Sequence, residues 1–136
     1  MIPLSLLVAH FVGDFVLQSD WMAMNKSKLW WALTSHVSAY VLPFLIWSML
    51  TLQNSEQLGI FIGLTFVTHF ITDAITSRVT SKLWFFRDTD IAYNAGGKRY
   101  TLWVPMGGNR HYFFVMIGFD QLIHYGTLAW TLRLIG

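Results

Sequence analysis

The chain has 136 residues, of which 54% are hydrophobic and 12% charged, where an ordinary soluble domain carries about 25% charged residues. That balance points to an integral membrane protein of a single domain. A net charge of +2 is too small to suggest a nucleic-acid binder. Cysteine is absent, so no disulfide holds the fold and the redox compartment is not legible.

Four apolar segments follow in chain order, at residues 1–17, 29–52, 58–76 and 112–134. A transmembrane helix needs roughly 20 mainly apolar residues, within a range of about 17–25. The first segment is near the lower limit. It has neither a basic leader nor a small-residue cleavage site, so it reads as a retained helix. "SDWMA" at 19–23 reads as an N-cap at Ser19 or Asp20 opening a short interfacial helix. The second segment contains Pro43, a candidate kink. The expected fold is an all-α membrane protein, a four-transmembrane-helix bundle with a cytoplasmic flap between helices 3 and 4. That flap is the connection 77–111. Turn signals at 94–97 and 107–109, with "IAY" and "RYTLWV" flanking the first, suggest a short hairpin inside it.

Basic residues set the orientation. Lys26 and Lys28 lie between the first two segments. Arg78, Lys82, Arg87, Lys98, Arg99 and Arg110 lie between the last two, and the 53–57 turn has Glu56 alone. The positive-inside rule then places the first and third connections in the cytoplasm and both termini outside, in a bacterial inner membrane. Trp21, Trp30, Trp31, Trp84 and Trp103 would mark the inner interface, and Trp47 and Trp130 the outer.

The apolar segments carry ionisable residues at helical spacing: His10/Asp14, His69/Asp73, and in reverse Asp120/His124, with His36 in the second. Residues four apart share a helix face. Counted from the cytoplasmic ends of alternating helices, all seven fall in the inner half of the bilayer, roughly 5–18 Å deep. One Asp at a span centre costs about 2.5–3.5 kcal/mol, so three unpaired would cost on the order of 10 kcal/mol, comparable to a domain's whole stability. A divalent cation compensates efficiently, because it stabilises carboxylates and prefers neutral imidazole. His10, Asp14, His36, His69, Asp73, Asp120 and His124 are therefore the candidate ligands of one or two ions, with zinc favoured and manganese or iron also compatible. Passive interhelical hydrogen bonding is the competing reading, and His36 alone would not exceed it. Gln18 and Gln121 adjoin the site as donors that would orient a carboxylate. The Thr residues along the stripes read as packing and back-bonding groups, His111 as a surface residue, and Asp20 as structural.

"AHFVGDFVLQSDWMAMNK", "SHVSAY", "THFITDAI" and "FDQLIHY" resemble an uncharacterised family of short bacterial and phage inner-membrane proteins, defined by a domain of unknown function, over nearly the whole chain. The runs Asp14–Gln18 and Asp120–His124 are its most specific elements. More distantly, His10/Asp14 and His69/Asp73 resemble the His-x-x-x-Asp elements of predicted membrane-bound metal-dependent hydrolases and of zinc-dependent phospholipase C. The chain departs from the latter in lacking an N-terminal Trp ligand and in the reversed order of Asp120/His124. The family membership implies a helical membrane protein without an established activity. With the distant likeness and the buried ligand set, the expectation is a membrane-embedded metal-dependent hydrolase of a phosphoester or lipid at the cytoplasmic interface, with Asp73 or Asp120 as general base instead of ligand. Arg78, Lys82 and Arg110 would hold an anionic group. An ion or proton transport module, or a non-enzymatic partner protein with a structural metal, are the alternatives. Membrane lipids, a second copy of the chain or a host membrane complex are the expected partners.

Overall fold

In the computed structural model, backbone is described for residues 2–52, 54–93, 99–105 and 110–136, and side chains for 2–52, 54–82 and 111–136. In chain order the elements are α1 (Leu4–Phe11), a π-helical turn (Val12–Val16), α2 (Asp20–Asn25), α3 (Trp30–Thr51), α4 (Ser55–Trp84), β1 (Phe85–Tyr93), β2 (Arg99–Pro105) and α5 (Arg110–Ile135). The fold is helical, with one antiparallel hairpin.

The expected segments 29–52 and 112–134 recur as α3 and α5 almost residue for residue. The third is longer than 58–76. Asn54 opens α4 by accepting the Glu56 N–H at 2.8 Å, and the helix runs through 77–84, which the sequence reading assigned to the connection. Back-bonding hydroxyls accompany that extension, with Ser77 donating to the Asp73 carbonyl at 2.5 Å and Thr80 to that of Thr76 at 2.6 Å. The hairpin forms as expected, pairing Tyr93 with Arg99 and Phe85 with Pro105 across an irregularity between Arg87 and Ile91. The turn signals at 94–97 and 107–109 lie outside the described residues.

α1 begins after Pro3, whose fixed φ suits a helix start. It passes into a π turn in which the Leu17 N–H reaches the Val12 carbonyl at 2.9 Å. Gly13 lies in this turn and allows it to press on α3: a Cβ there would stand 2.6 Å from the Tyr40 carbonyl oxygen. Ser19 caps α2 by accepting the Met22 N–H at 3.3 Å. Trp21 and Trp31 meet at 4.1 Å between ring centroids and pin α2 against α3.

Helices α1, α3, α4 and α5 surround a divided interior. At one end Leu6, Ala9, Tyr40, Phe44, Phe61 and Leu128 form an apolar core. Trp47 donating to Ser5 and Gln57 donating to the Ile135 carbonyl tie that end together. The other end holds His10, Asp14, His36, His69, Asp73 and His124, all buried. The outer surface is apolar, with Leu50 82% and Leu4 75% exposed and Leu122, Ile46 and Phe114 above half. Two helices, Trp30–Thr51 and Ser55–Lys82, are long and apolar enough to cross a membrane, and Leu4–Val16 is a shorter apolar helix. At 1.5 Å per residue that first segment reaches only about 20 Å.

Candidate metal centre

The π turn of α1 supplies Asp14, α3 supplies His36, and α4 supplies His69 and Asp73 one turn apart. Their ligand atoms converge. His36 Nε2 lies 3.2 Å from Asp14 Oδ1, 3.2 Å from Asp73 Oδ2 and 3.2 Å from His69 Nε2. His69 Nε2 lies 3.7 Å from each of the same two carboxylate oxygens. Ligands at about 2.1 Å from a small divalent cation in tetrahedral geometry are about 3.4 Å apart. The observed separations bracket that value, so these four buried residues could bind a metal ion. α5 adds His124, with Nε2 3.2 Å from Asp73 Oδ1 and 3.4 Å from Asp120 Oδ1. Asp14, Asp120 and His124 form a second group that could hold a cation, sharing Asp14 with the first.

The imidazole planes are fixed mainly by stacking. Tyr40 lies on His69 at 3.5 Å and His69 on His124 at 4.1 Å. The Nδ1 atoms of His36 and His69 are buried with no hydrogen-bond partner among the described residues, whereas a metal-bound imidazole usually donates its other N–H to a protein group.

His10 stands apart from the other candidate ligands because protein groups take up both its nitrogens. Nδ1 is 2.9 Å from the Tyr40 hydroxyl, and Nε2 is 2.8 Å from Gln121 Oε1. An amide oxygen only accepts, so Nε2 carries the proton and Nδ1 accepts from Tyr40. Gln121 then donates to Asp14 Oδ2 at 2.9 Å and to Asp120 Oδ2 at 3.2 Å. Thr76 donates to Asp120 Oδ1 at 2.5 Å. Gln121 therefore takes the orienting part expected of it, while Gln18 has its Oε1 buried with no partner among the described residues.

Lys26 was read from the sequence only as a topology-setting charge. The turn after α2, in which the Lys28 and Leu29 N–H groups return to the Asn25 carbonyl, folds it beneath the start of α3. Its Nζ lies 2.7 Å from Asp73 Oδ2 and 3.4 Å from His36 Nε2. Burial, the largest influence on the ammonium, favours the neutral amine. Asp73, Asp14 and Asp120 together outweigh it and hold the Lys26 pKa above the ordinary lysine value. No sequence signal marks Lys26. Tyr40 could have been found, since it stands four residues after His36, the spacing of the other pairs. Thr76, three residues after Asp73, lies on the stripe already noted.

A cavity of about 290 Å3 lies beside the cluster. Asp14, Asp73, Asp120 and Lys26 form its polar end, and Phe15, Met24, Phe113 and Ile117 contribute apolar surface. Of the basic residues expected to hold an anion, Arg78 stacks over the Trp30 ring at 4.2 Å and Lys82 is exposed. Neither lines this cavity. The Arg110 side chain lies outside the described residues. His111 is exposed, as expected.

No curated protein and no solved structure matches the chain. Residues 2–135 match the family described as "Protein of unknown function (DUF3307)". That span contains every residue of the cluster, and the chain belongs to this family, DUF3307.

Proposed function

We propose that this protein is a membrane-embedded, metal-dependent hydrolase of a phosphoester-containing lipid, working at the cytoplasmic interface of a bacterial inner membrane. The observation that carries the reading is the junction of a buried ligand set with an open cavity, with Asp120 at the boundary. Asp120 is 16% exposed, whereas Asp14 and Asp73 are almost fully enclosed.

Exposed large apolar side chains on α1, α3, α4 and α5 support a bundle immersed in lipid. α1 with its π turn is short for a full span, and local thinning of the bilayer at little cost accommodates it. On this reading, which the basic residues of the connections support, α2 and the hairpin face the cytoplasm and the apolar core of Leu6, Phe44 and Phe61 faces outward.

Asp14, His36, His69 and Asp73 would hold zinc, and Asp14, Asp120 and His124 would take a second ion only where Asp120 does not serve as the base. A cation held by these residues would supply Lewis acidity. The chain's own groups do the rest. Asp73 is engaged on both oxygens by Lys26, His36 and His124, which suits a ligand. Asp120 borders the cavity and is oriented by Thr76 and Gln121, which suits a general base. Lys26 holds the anionic phosphoester. The apolar cavity surface excludes water and receives the lipid's hydrocarbon.

A transport pathway would need a polar route through the other half of the bundle, where Phe44, Phe61 and Leu128 pack between the buried hydroxyls of Ser48, Thr65 and Thr131 and disfavour it. A closed structural metal would need no cavity. The test is metal analysis and turnover of defined phospholipids by protein purified in detergent, wild type beside His69→Ala. The reading expects bound zinc and lipid hydrolysis in the wild type and neither in the variant. A properly folded His69→Ala protein that hydrolyses the same lipid at the same rate overturns it.

A further inference from the structure

The cavity is bounded on its α4 side by a run of hydroxyls at Thr76, Ser77, Thr80 and Ser81. A hydroxyl has one proton to donate and two lone pairs. Three of these protons are already committed inside the protein: Thr76 to Asp120 and to the Thr72 carbonyl, Ser77 to the Asp73 carbonyl, Thr80 to the Thr76 carbonyl. Thr76, Ser77 and Thr80 can therefore only accept from a ligand, while Ser81 can still donate. The Gln121 amide is spent too, donating to Asp14 and Asp120 and accepting from His10. Gln18, also on the cavity, adds a buried carbonyl oxygen with no partner among the described residues.

The α4 wall of the cavity is thus richer in acceptors than in donors, the donors of the lining being Ser27, Ser81, the Gln18 amide and Lys26. A buried acceptor left unpaired costs about 1–3 kcal/mol, so the preferred occupant brings its own donors. We infer that the cavity selects a phospholipid whose headgroup carries free hydroxyls, such as glycerol or a sugar. The hydroxyl-lined part of the cavity takes that headgroup, and Phe15, Met24 and Phe113 meet the hydrocarbon. At about 290 Å3 the space suits one small headgroup and part of a chain, at the lower limit of the roughly 300–1,000 Å3 usual for ligand sites. With zinc bound, Lys26 and the ion would balance the charge of Asp14, Asp73 and Asp120, so an ammonium headgroup, which would also donate, gains no net attraction there.

This inference rests on the lipid-hydrolase reading, and the experiment separates the two. Zinc-loaded protein in detergent is given phosphatidylglycerol, phosphatidylserine, phosphatidylethanolamine or phosphatidylcholine with identical acyl chains. Binding is read by native mass spectrometry and turnover by headgroup release. Phosphatidylserine matches the net charge of phosphatidylglycerol and isolates the hydroxyls from charge. The expected result is roughly tenfold preference for phosphatidylglycerol over each of the others, reduced severalfold in Thr80→Val and in Ser81→Ala and retained in Thr80→Ser. Equal handling of the four lipids, preference for an ammonium headgroup, or an unchanged preference in both folded hydroxyl-deletion variants overturns the inference. Selective binding without cleavage keeps it and overturns the hydrolase reading. Cleavage without selectivity does the reverse, and absence of both overturns both.

Discussion

Lys26 Nζ stands 2.7 Å from Asp73 Oδ2, at the edge of the same four residues whose spacing suits a divalent cation. An ammonium and a metal ion on one carboxylate repel each other, and in this partly buried setting the repulsion is weakly screened. Lys26→Met keeps the length of the side chain and removes its charge. Zinc affinity, measured by competition with a chelator, is expected to rise on the order of tenfold or more. Lipid turnover is expected to fall, because the anion loses its cationic partner. Unchanged zinc affinity would mean that lysine and metal occupy separate places.

The same pair gives a pH prediction for the metal-free protein. The pKa of Lys26 is raised in the folded state. Its contribution to stability is therefore fully present below the unfolded-state lysine value of about 10.4 and is lost as pH climbs through the higher folded value. The stability gap between wild type and Lys26→Met should stay level from neutral pH into the mild alkaline range. It should close only above the ordinary lysine range. Denaturation midpoints across pH check this, and a gap that closes near pH 8 would contradict it.

His10 acts through Gln121 in this geometry. Tyr40 fixes the His10 tautomer, His10 fixes the Gln121 amide, and the amide holds Asp14 and Asp120. Groups that orient metal ligands typically matter about 10–100-fold in affinity or activity. Gln121→Leu should weaken metal binding within that range, and His10→Phe should do so less, since the amide remains. Chelator titration of both variants decides. If His10→Phe is the more damaging, His10 ligates the metal directly after all.

The pairs at i and i+4 made most of this site legible, because helical spacing and the cost of burying charge in lipid need no tertiary information. Asp14, His36, His69 and Asp73 lie close enough to hold one cation, and Asp14, Asp120 and His124 another, though His36 has no carboxylate partner at that spacing. The two roles that escaped depend on distances along the chain that no period encodes. Lys26 arrives from a turn outside the apolar segments, where a lysine usually reports orientation alone. His10 matched the ligand pattern as well as His69 did, and only the position of Gln121 on a helix 111 residues away separates their roles. The extension of α4 past residue 76 was hidden because its Ser, Thr, Arg and Lys residues lower hydropathy without breaking the helix.

Gly13 tests the packing that brings α1 to α3. A methyl group would stand 2.6 Å from the Tyr40 carbonyl oxygen, where backbone must move rather than a flexible side chain. Overpacking of this kind costs typically about 1–3 kcal/mol. Gly13→Ala should lower the midpoint of thermal unfolding in detergent. It should also weaken metal binding, because the shifted turn carries Asp14. Unchanged values for both would place this contact outside the determinants of the site.

The two ligand groups share Asp14 and divide the remaining residues, so metal stoichiometry distinguishes their contributions. Asp14→Asn removes a charged oxygen from both groups and should leave less than one ion per chain. Asp120→Asn touches only the second group, next to the cavity, and should leave one ion on Asp14, His36, His69 and Asp73. Its lipid turnover should nonetheless be lost, because the proposed general base has gone. Elemental analysis of the three proteins, purified side by side, gives the counts. Two ions in the wild type, one in Asp120→Asn and fewer than one in Asp14→Asn would establish a shared bridging carboxylate. One ion in both the wild type and Asp120→Asn, with turnover lost only in the variant, would assign Asp120 to proton transfer alone. Equal metal content in all three would remove Asp14 from the centre.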